Sequence, residues 1–117
     1  MKLLTAMAIL LVATSAKAGA WSAAAVPTRI DVVQAGTAGF LVYGTYGNPA
    51  GCVVGDVVFV KATHPQYNKM YATALLAFTS GKNLMAYAGN CDSVPWLSVP
   101  ATTYNILNDT GSLSISN

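Results

Sequence analysis

The sequence predicts a mainly β domain with a single helix, whose elements follow the order β-β-β-α-β-β. Short runs of β-branched and aromatic residues alternate with clusters of Gly, Pro and Asn through most of the chain, which is typical of strands joined by turns. One segment breaks this pattern, because residues 65–80 place apolar side chains three and four positions apart. That spacing is the mark of an amphipathic helix.

Three strands joined by short turns are predicted before the helix, which makes an antiparallel meander. Gly55 and Asp56, in the middle of the third strand, indicate a β-bulge or a sharp bend. The strands are Val32-Val33, residues 40–46 and residues 52–60, and the turns are AGTAG at 35–39 and YGNPAG at 46–51.

The helix is predicted to begin at Pro65, where the missing N–H of proline leaves no donor unpaired, and to stop at Gly81, with Lys82 near the negative end of its dipole. Ala72 and Leu76 fall beside the main apolar stripe, so the apolar surface is wider than one core contact requires. Either the helix is deeply buried within the monomer, or Ala72 and Leu76 contact a neighbouring subunit. The stripe itself consists of Tyr67, Met70, Tyr71, Ala74, Leu75 and Phe78.

Two further strands are predicted after the helix. Residues 83–91 form the fourth, and residues 94–107 contain Pro95 and Pro100, so that pairing there is expected at an edge or around a bulge. The polar residues 108–117 are expected to fray. This order is that of the OB-fold, a five-stranded, partly open barrel, although other small α+β domains share it. The predicted OB-fold-like domain covers residues 21–107.

Residues 1–20 have the features of a cleaved signal peptide. Lys2 precedes an apolar run from Leu3 to Val12, and small residues before Gly19 and before Trp21 provide two cleavage sites. The apolar run is about half of the roughly 20 residues that a spanning helix requires. We therefore expect a secreted or periplasmic protein, and a bacterial source suits this signal as well as a eukaryotic one.

Once this peptide is removed, the net charge is zero. Four scattered cations (Arg29, Lys61, Lys69, Lys82) balance four aspartates (Asp31, Asp56, Asp92, Asp109). Binding to nucleic acid is not expected, because it requires clustered Lys and Arg. Charged residues make up 9% of the chain, and such weak mutual repulsion favours association into a homo-oligomer.

Cys52 and Cys91 are the only two cysteines. In an oxidising compartment they are expected to form a disulfide. A zinc site is the rival interpretation, but two Cys and one His, in a chain without glutamate, supply a tetrahedral set poorly. Free thiols are the remaining alternative. We expect no metal and no cofactor.

The helix and the strand after it resemble a known family. PQYNKMYATALLAFTSGKNLMAY, residues 65–87, is similar to the corresponding region of the B subunits of the subtilase cytotoxin and typhoid toxin group. RIDVVQAG resembles their first strand, Trp21 stands at the mature start as theirs does, and VPWLSV resembles their proline-aromatic segment. The matching positions in the helix and strand are Pro65, Tyr67, Met70, Tyr71, Ala74, Gly81, Leu84 and Tyr87.

The resemblance implies an OB-fold subunit in a ring of five, with the helices lining a central pore. It also implies two partners, an enzymatic A subunit and a sialylated or related cell-surface glycan. The sugar-contacting serine of that family lies between the starting Trp and the first strand. This chain is shorter there, so no residue inherits that role, and only Cys52 matches the family's cysteines in position.

Catalysis is not expected. A Ser-His-Asp site would have to use His64, the only histidine, which precedes Pro65 at the helix start, where a side chain usually meets free backbone groups. Asp31 and Asp56 are conceivable partners in acid catalysis of glycosides, but aspartates in strands and bulges are commonly just solvated.

The function predicted from the sequence is a secreted, non-catalytic binding module of B-subunit type that is oligomeric and binds a glycan or a protein. Tyrosine offers a flat apolar face with a hydroxyl, which suits such surfaces, and Tyr43, Tyr46 and Tyr87 are the candidate glycan contacts. The alternatives are a small secreted or periplasmic structural or inhibitory protein that shares only the fold, and a hydrolase that uses His64.

Overall fold

The computed structural model describes residues 19–33, 38–94 and 102–117. The predicted signal peptide, apart from Gly19 and Ala20, lies outside these residues, as do most of the AGTAG turn and the segment 95–101. Within the described ranges, no helix is long and apolar enough to cross a membrane.

The described residues form eight strands and one helix, which confirms the prediction of a mainly β fold with a single helix. Four strands precede the helix and four follow it. The elements are β1 (Ala20–Trp21), β2 (Arg29–Val33), β3 (Gly39–Tyr43), β4 (Val54–Lys61), α1 (Tyr67–Ser80), β5 (Asn83–Ala88), β6 (Asn90–Asp92), β7 (Tyr104–Leu107) and β8 (Ser112–Ser116).

These strands pair in two sheets, and neither is closed into a barrel. A three-stranded antiparallel sheet has the order β1-β5-β8. A five-stranded sheet has the order β2-β3-β4-β7-β6, in which only the β4–β7 pair is parallel. The predicted fourth strand, residues 83–91, is divided at the single residue Gly89 into β5, in one sheet, and β6, in the other.

The central strand β4 of the five-stranded sheet is buried on both faces. In β4, Val58 and Val60 pack toward the helix, while Val57 and Phe59 belong to a second apolar cluster on the opposite face. All four are at most 2% exposed. An uninterrupted apolar run is what a strand covered on both sides requires, and VVFV supplies it.

The predicted bulge at Gly55-Asp56 is confirmed. The register of β4 on β7 shifts between Val54 and Val58, and Asp56 has a φ of 64°, a left-handed conformation that Asp tolerates better than most residues. Its Oδ1 accepts a hydrogen bond from the Gly47 N–H at 2.8 Å, and its own N–H donates to the Gly47 oxygen at 2.8 Å. The aspartate therefore fixes the bend.

The helix packs on the sheet through two alanines, with Met70 and two tyrosines beside them. Ala74 and Ala77 are fully buried and Met70 is 7% exposed, while Tyr67 and Tyr71 pack against Phe40 with ring centroids 5.6 and 5.2 Å apart. Gly81 ends the helix as predicted, with a φ of 70°, a conformation that glycine adopts without strain.

Two details of the predicted helix are wrong. It begins at Tyr67 rather than Pro65, which lies in the preceding turn. Leu75 and Phe78, predicted to face the core, are 40% and 42% exposed. The burial of Ala77 rotates the core-facing stripe away from both side chains.

The C-terminal residues are also more ordered than their polar composition predicts. Residues 112–116, SLSIS, form β8 along β5, so the expectation of a fraying tail is wrong for this part. Leu113 and Ile115 pack against the core beneath the helix, and the serines alternate with them. This is a half-buried strand with a period of two.

Candidate functional site

The outer face of the three-stranded sheet carries an exposed aromatic pair. Trp21 and Tyr87 are register partners on β1 and β5, and their rings lie 5.4 Å apart at an angle of 74°. They are 46% and 36% exposed. Register continues the same face through Ser112, opposite Tyr87, and through Met85 opposite Ser114. We call these five residues the aromatic platform.

Two local features position the platform. The Ser22 hydroxyl, which is buried, accepts a hydrogen bond from the Ala86 N–H at 2.9 Å and donates to the Ala23 oxygen at 2.8 Å, which holds β1 on β5. Gly111 lets β8 approach β5, because it has a φ of 99° and a Cβ there would lie 2.8 Å from the Tyr87 oxygen. Both features act on the backbone beside Tyr87, so they fix how closely β1 and β8 lie against β5.

Tyr43 lies in a different place, on the outer face of the five-stranded sheet. Its hydroxyl donates to Asp31 Oδ2 at 3.1 Å, and the Arg29 guanidinium lies 4.7 Å from the centre of its ring. Arg29 also binds Asp31 through two contacts of 2.9 and 2.7 Å. The hydrogen bond from Arg29 holds the pKa of Asp31 below its ordinary value, and burial, then the bond to Asp31, raises the pKa of Tyr43. These three polar groups satisfy one another.

Tyr46, the third candidate, is a core residue. It is 2% exposed and packs in the cluster beneath the helix. Its hydroxyl has no hydrogen-bond partner among the described residues, and burial raises its pKa to about 12. The three tyrosines therefore lie at three separate places, and of the three Tyr87 is the one with an exposed ring.

Replacing Tyr46 with Phe is expected to raise the free energy of unfolding by about 1 kcal/mol at pH 7, because it removes a buried hydroxyl without a partner. The difference in free energy of unfolding between the variant and the wild type should grow at high pH. In the unfolded wild type the hydroxyl ionises near pH 10, whereas in the folded protein it ionises near 12. Above pH 10 ionisation therefore favours the unfolded wild type, which loses stability relative to the variant by roughly 1.4 kcal/mol per pH unit.

Urea unfolding of wild type and Tyr46→Phe from pH 7 to 11.5 measures both effects. The gap between the two proteins should widen above pH 10. Equal stability at pH 7 together with parallel pH profiles would show that the hydroxyl is satisfied in the folded protein.

The groups named for alternative catalytic chemistry are all engaged elsewhere. His64 is 7% exposed; its Nδ1 accepts from the Gln66 N–H at 3.0 Å, which leaves the hydrogen on Nε2, 3.3 Å from the Gly111 oxygen. Both ring nitrogens therefore serve the backbone, as expected beside a helix start. Asp31 is held by Arg29 and Tyr43, and Asp56 fixes the bulge.

The cysteines form the predicted disulfide. Cys52 and Cys91 are bonded with their Cα atoms 5.5 Å apart, which confirms the pairing and removes both thiols as metal ligands. Among the residues described, no group of three or more His, Cys, Asp and Glu side chains could hold a metal ion.

The outer side of the helix is the second candidate contact surface. Ala72 and Leu76, predicted to touch another subunit, are both exposed, Leu76 to 56%. Leu76 also lines a cavity of about 330 Å³ with Ile115 and Lys82. This surface and the aromatic platform lie on opposite sides of the three-stranded sheet.

Sequence reasoning found Tyr87 but missed its partners. Trp21 was notable only as the start of the mature chain, and its place beside Tyr87 depends on the β1–β5 pairing. Ser112 and Ser114 were assigned to a fraying tail. The alternation of SLSIS is the signal that could have placed them on one face of a strand.

Comparison of the chain with protein-family models, curated proteins and solved structures gave no match.

Proposed function

We propose that this protein is a secreted, non-catalytic binding module of toxin B-subunit type, which binds a glycan or a protein on the aromatic platform. The observation that supports this most directly is the exposed Trp21–Tyr87 pair. Exposure of aromatic rings to water is energetically unfavourable, and Trp and Tyr are enriched where a surface binds a partner.

The strand pairing supports an OB-fold arrangement for this module. If short breaks are ignored, the chain has five extended segments: 20–33, 39–43, 54–61, 83–92 and 104–116. The first pairs with the second, the second with the third, the third with the fifth, the fifth with the fourth and the fourth with the first. The helix lies between the third and the fourth. This circular order is the one that a five-stranded, partly open barrel uses.

An oligomer, with five copies in a ring as the family resemblance implies, is the second part of the proposal. The exposed Ala72 and Leu76 on α1 are its proposed contacts. The zero net charge of residues 21–117 would not oppose the approach of identical copies. An enzymatic A subunit is the further partner that this assembly would carry.

Trp21→Ala is expected to weaken ligand binding by about tenfold or more, since truncating a central aromatic anchor commonly costs over 1 kcal/mol. A glycan array with the exported wild-type protein identifies a ligand, and titration calorimetry with Trp21→Ala and Tyr87→Ala measures the loss. Phe78→Ala is the matched control, because Phe78 is a 42% exposed aromatic on the helix. A folded protein that binds no glycan would remove the glycan arm of the proposal and favour the structural or inhibitory alternative. Equal losses in all three variants would remove the platform from the proposal.

Leu76→Glu is expected to convert the oligomer to monomers, because five copies would bring five carboxylates into an apolar contact. Light scattering at micromolar concentration measures the mass. Val53→Glu, at a residue that is 67% exposed and distant from the helix in sequence, should leave the assembly intact. A wild-type protein that is monomeric under these conditions would contradict the ring.

A further inference from the structure

We infer that the ligand of the aromatic platform is an uncharged sugar, stacked through the apolar face of its ring on Trp21 or Tyr87, and not a sialylated or sulfated glycan. This inference rests on the proposed glycan-binding function and names its ligand class.

The side chains of the platform bear no charge. They comprise an indole, a phenol, one thioether and two serine hydroxyls, from Trp21, Tyr87, Met85, Ser112 and Ser114. An anionic sugar depends on charge-assisted hydrogen bonds to its carboxylate or sulfate, which Arg and Lys supply best. The polar groups of the platform side chains are uncharged, three hydroxyls and the indole N–H of Trp21, and they suit the hydroxyls of a neutral sugar, which both donate and accept hydrogen bonds.

Three of the four cations of the described residues lie away from the platform. Arg29 is bound through two contacts to Asp31, and Lys61 lies 3.5 Å from Asp92, both on the five-stranded sheet. Lys82 precedes β5 at the end remote from Tyr87, where its Nζ contacts Asn117. Lys69, on the helix, lines a cavity that also includes the platform residue Ser112, so it is the cation of the described residues whose removal tests the inference. The predicted cleavage sites also place the α-amino group of the mature chain within two residues of Trp21. Because the position of this cation depends on cleavage, the test uses the protein as the cell exports it.

The dimensions of the platform suit one or two sugar rings. It spans three strands, which lie about 4.8 Å apart, and on β5 and β8 it has two rows of side chains about 7 Å apart. Because the Trp21 and Tyr87 rings stand at 74° to each other, a flat ligand stacks on one face and meets the other ring at its edge. The hydroxyls of Ser112 and Ser114, on the neighbouring strand, then lie at the rim of the bound ring.

Titration with lactose and with sialyllactose tests this inference, since the two share a neutral core and differ by one anionic sugar. Lactose is expected to bind, with an affinity that does not fall as the salt concentration rises, and sialyllactose is expected to bind no better. Trp21→Ala should reduce lactose binding about tenfold or more, while a Lys69→Ala/Lys82→Ala double variant and Phe78→Ala should bind as the wild type does. In a Trp96→Phe variant, which leaves Trp21 as the sole tryptophan, lactose should also change the indole emission.

Each other outcome has a distinct meaning. Binding of sialyllactose alone, with loss at high salt or in the double lysine variant, would overturn the neutral-sugar inference and leave the binding-module proposal standing. If neither sugar binds, a neutral glycan found on the array takes the place of lactose, and a ligand set that is anionic throughout overturns the inference. Failure of a folded protein to bind any glycan on the array overturns the inference and the glycan arm of the proposed function together.

Discussion

Replacing both Cys52 and Cys91 with alanine is expected to lower the free energy of unfolding by about 4 kcal/mol. The two cysteines are 39 residues apart in sequence, and closing a loop of this length removes about that much conformational freedom from the unfolded chain. The bond also ties together distant parts of the five-stranded sheet. Cys52 ends the loop before β4, whereas Cys91 lies in β6 at the sheet edge, two strands away in the order β4-β7-β6.

Urea unfolding of the wild type and the double variant measures this loss, with the slope of the transition showing whether the unfolded state has expanded. The internal control is a thiol reductant. It should destabilise the wild type by the same amount and leave the Cys52→Ala/Cys91→Ala variant unaffected. A double variant as stable as the oxidised wild type would show that the sheet edge is held without the bond.

The success of the helix and strand predictions follows from local chemistry. The stop at Gly81, the bulge at Asp56 and the cysteine pairing each rest on a few neighbouring residues or on the count of one residue type. The first two determinants lie within a short window of the sequence, and the third requires only the composition of the chain. The start of the helix was less accurate because the turn over Pro65 is held by His64, whose side chain accepts the Gln66 N–H.

The predictions that were wrong or incomplete concern contacts between distant segments of the chain. Leu75 and Ala77 are both plausible core residues from spacing alone, and the choice of Ala77 is made by how closely the sheet approaches the helix. The second apolar cluster around Phe59 also depends on distant segments, since the VVFV run is compatible with burial on both faces but does not identify the residues that cover the second face. The break at Gly89, which sends one predicted strand into two sheets, is of the same kind.

The residues of the candidate site also fall into those that sequence could identify and those that required the structure. Tyr87 was identified from its residue type, but Tyr43 and Tyr46 have the same type and are engaged in an ion-pair cluster and in the core, respectively. Residue chemistry therefore produced the list of candidates, and burial separated them. Trp21 could be added only through the pairing of β1 with β5.

The buried amide of Asn105 was not singled out by sequence reasoning, although an asparagine inside the apolar run YNIL is unusual for a strand. Asn105 is fully buried. Its Oδ1 accepts from the Ala50 N–H at 2.7 Å, and its Nδ2 donates to Asn48 Oδ1 at 3.0 Å and to the Val54 oxygen at 3.4 Å. Asn48 in turn pairs with both backbone groups of Cys52. The amide thus holds the loop that carries the disulfide onto β7.

Replacing Asn105 with Asp is expected to cost about 3 kcal/mol at neutral pH, because the new group buries a charge and turns an acceptor toward Asn48 Oδ1 where the wild type has a donor. Stability should partly recover as the pH falls, since the protonated carboxyl can donate that hydrogen bond again. Folding favours the neutral form of the buried carboxyl and so raises its pKa above the value in the unfolded chain. The variant is therefore most stable at low pH and loses stability as the pH rises.

Urea unfolding between pH 3 and 8 measures this recovery, and Asn90→Asp, an exposed position on the neighbouring strand β6, is the control for the added charge. Asn105→Leu should lose a similar amount at all pH values, because it leaves the Ala50 N–H unsatisfied at every pH. If the Asp and Leu variants show the same pH profile, Asn105 acts through packing alone. A difference between their free energies of unfolding that changes with pH assigns the loss to the hydrogen bond with Asn48. The buried amide of Asn105 would then be what holds the loop of the disulfide in place.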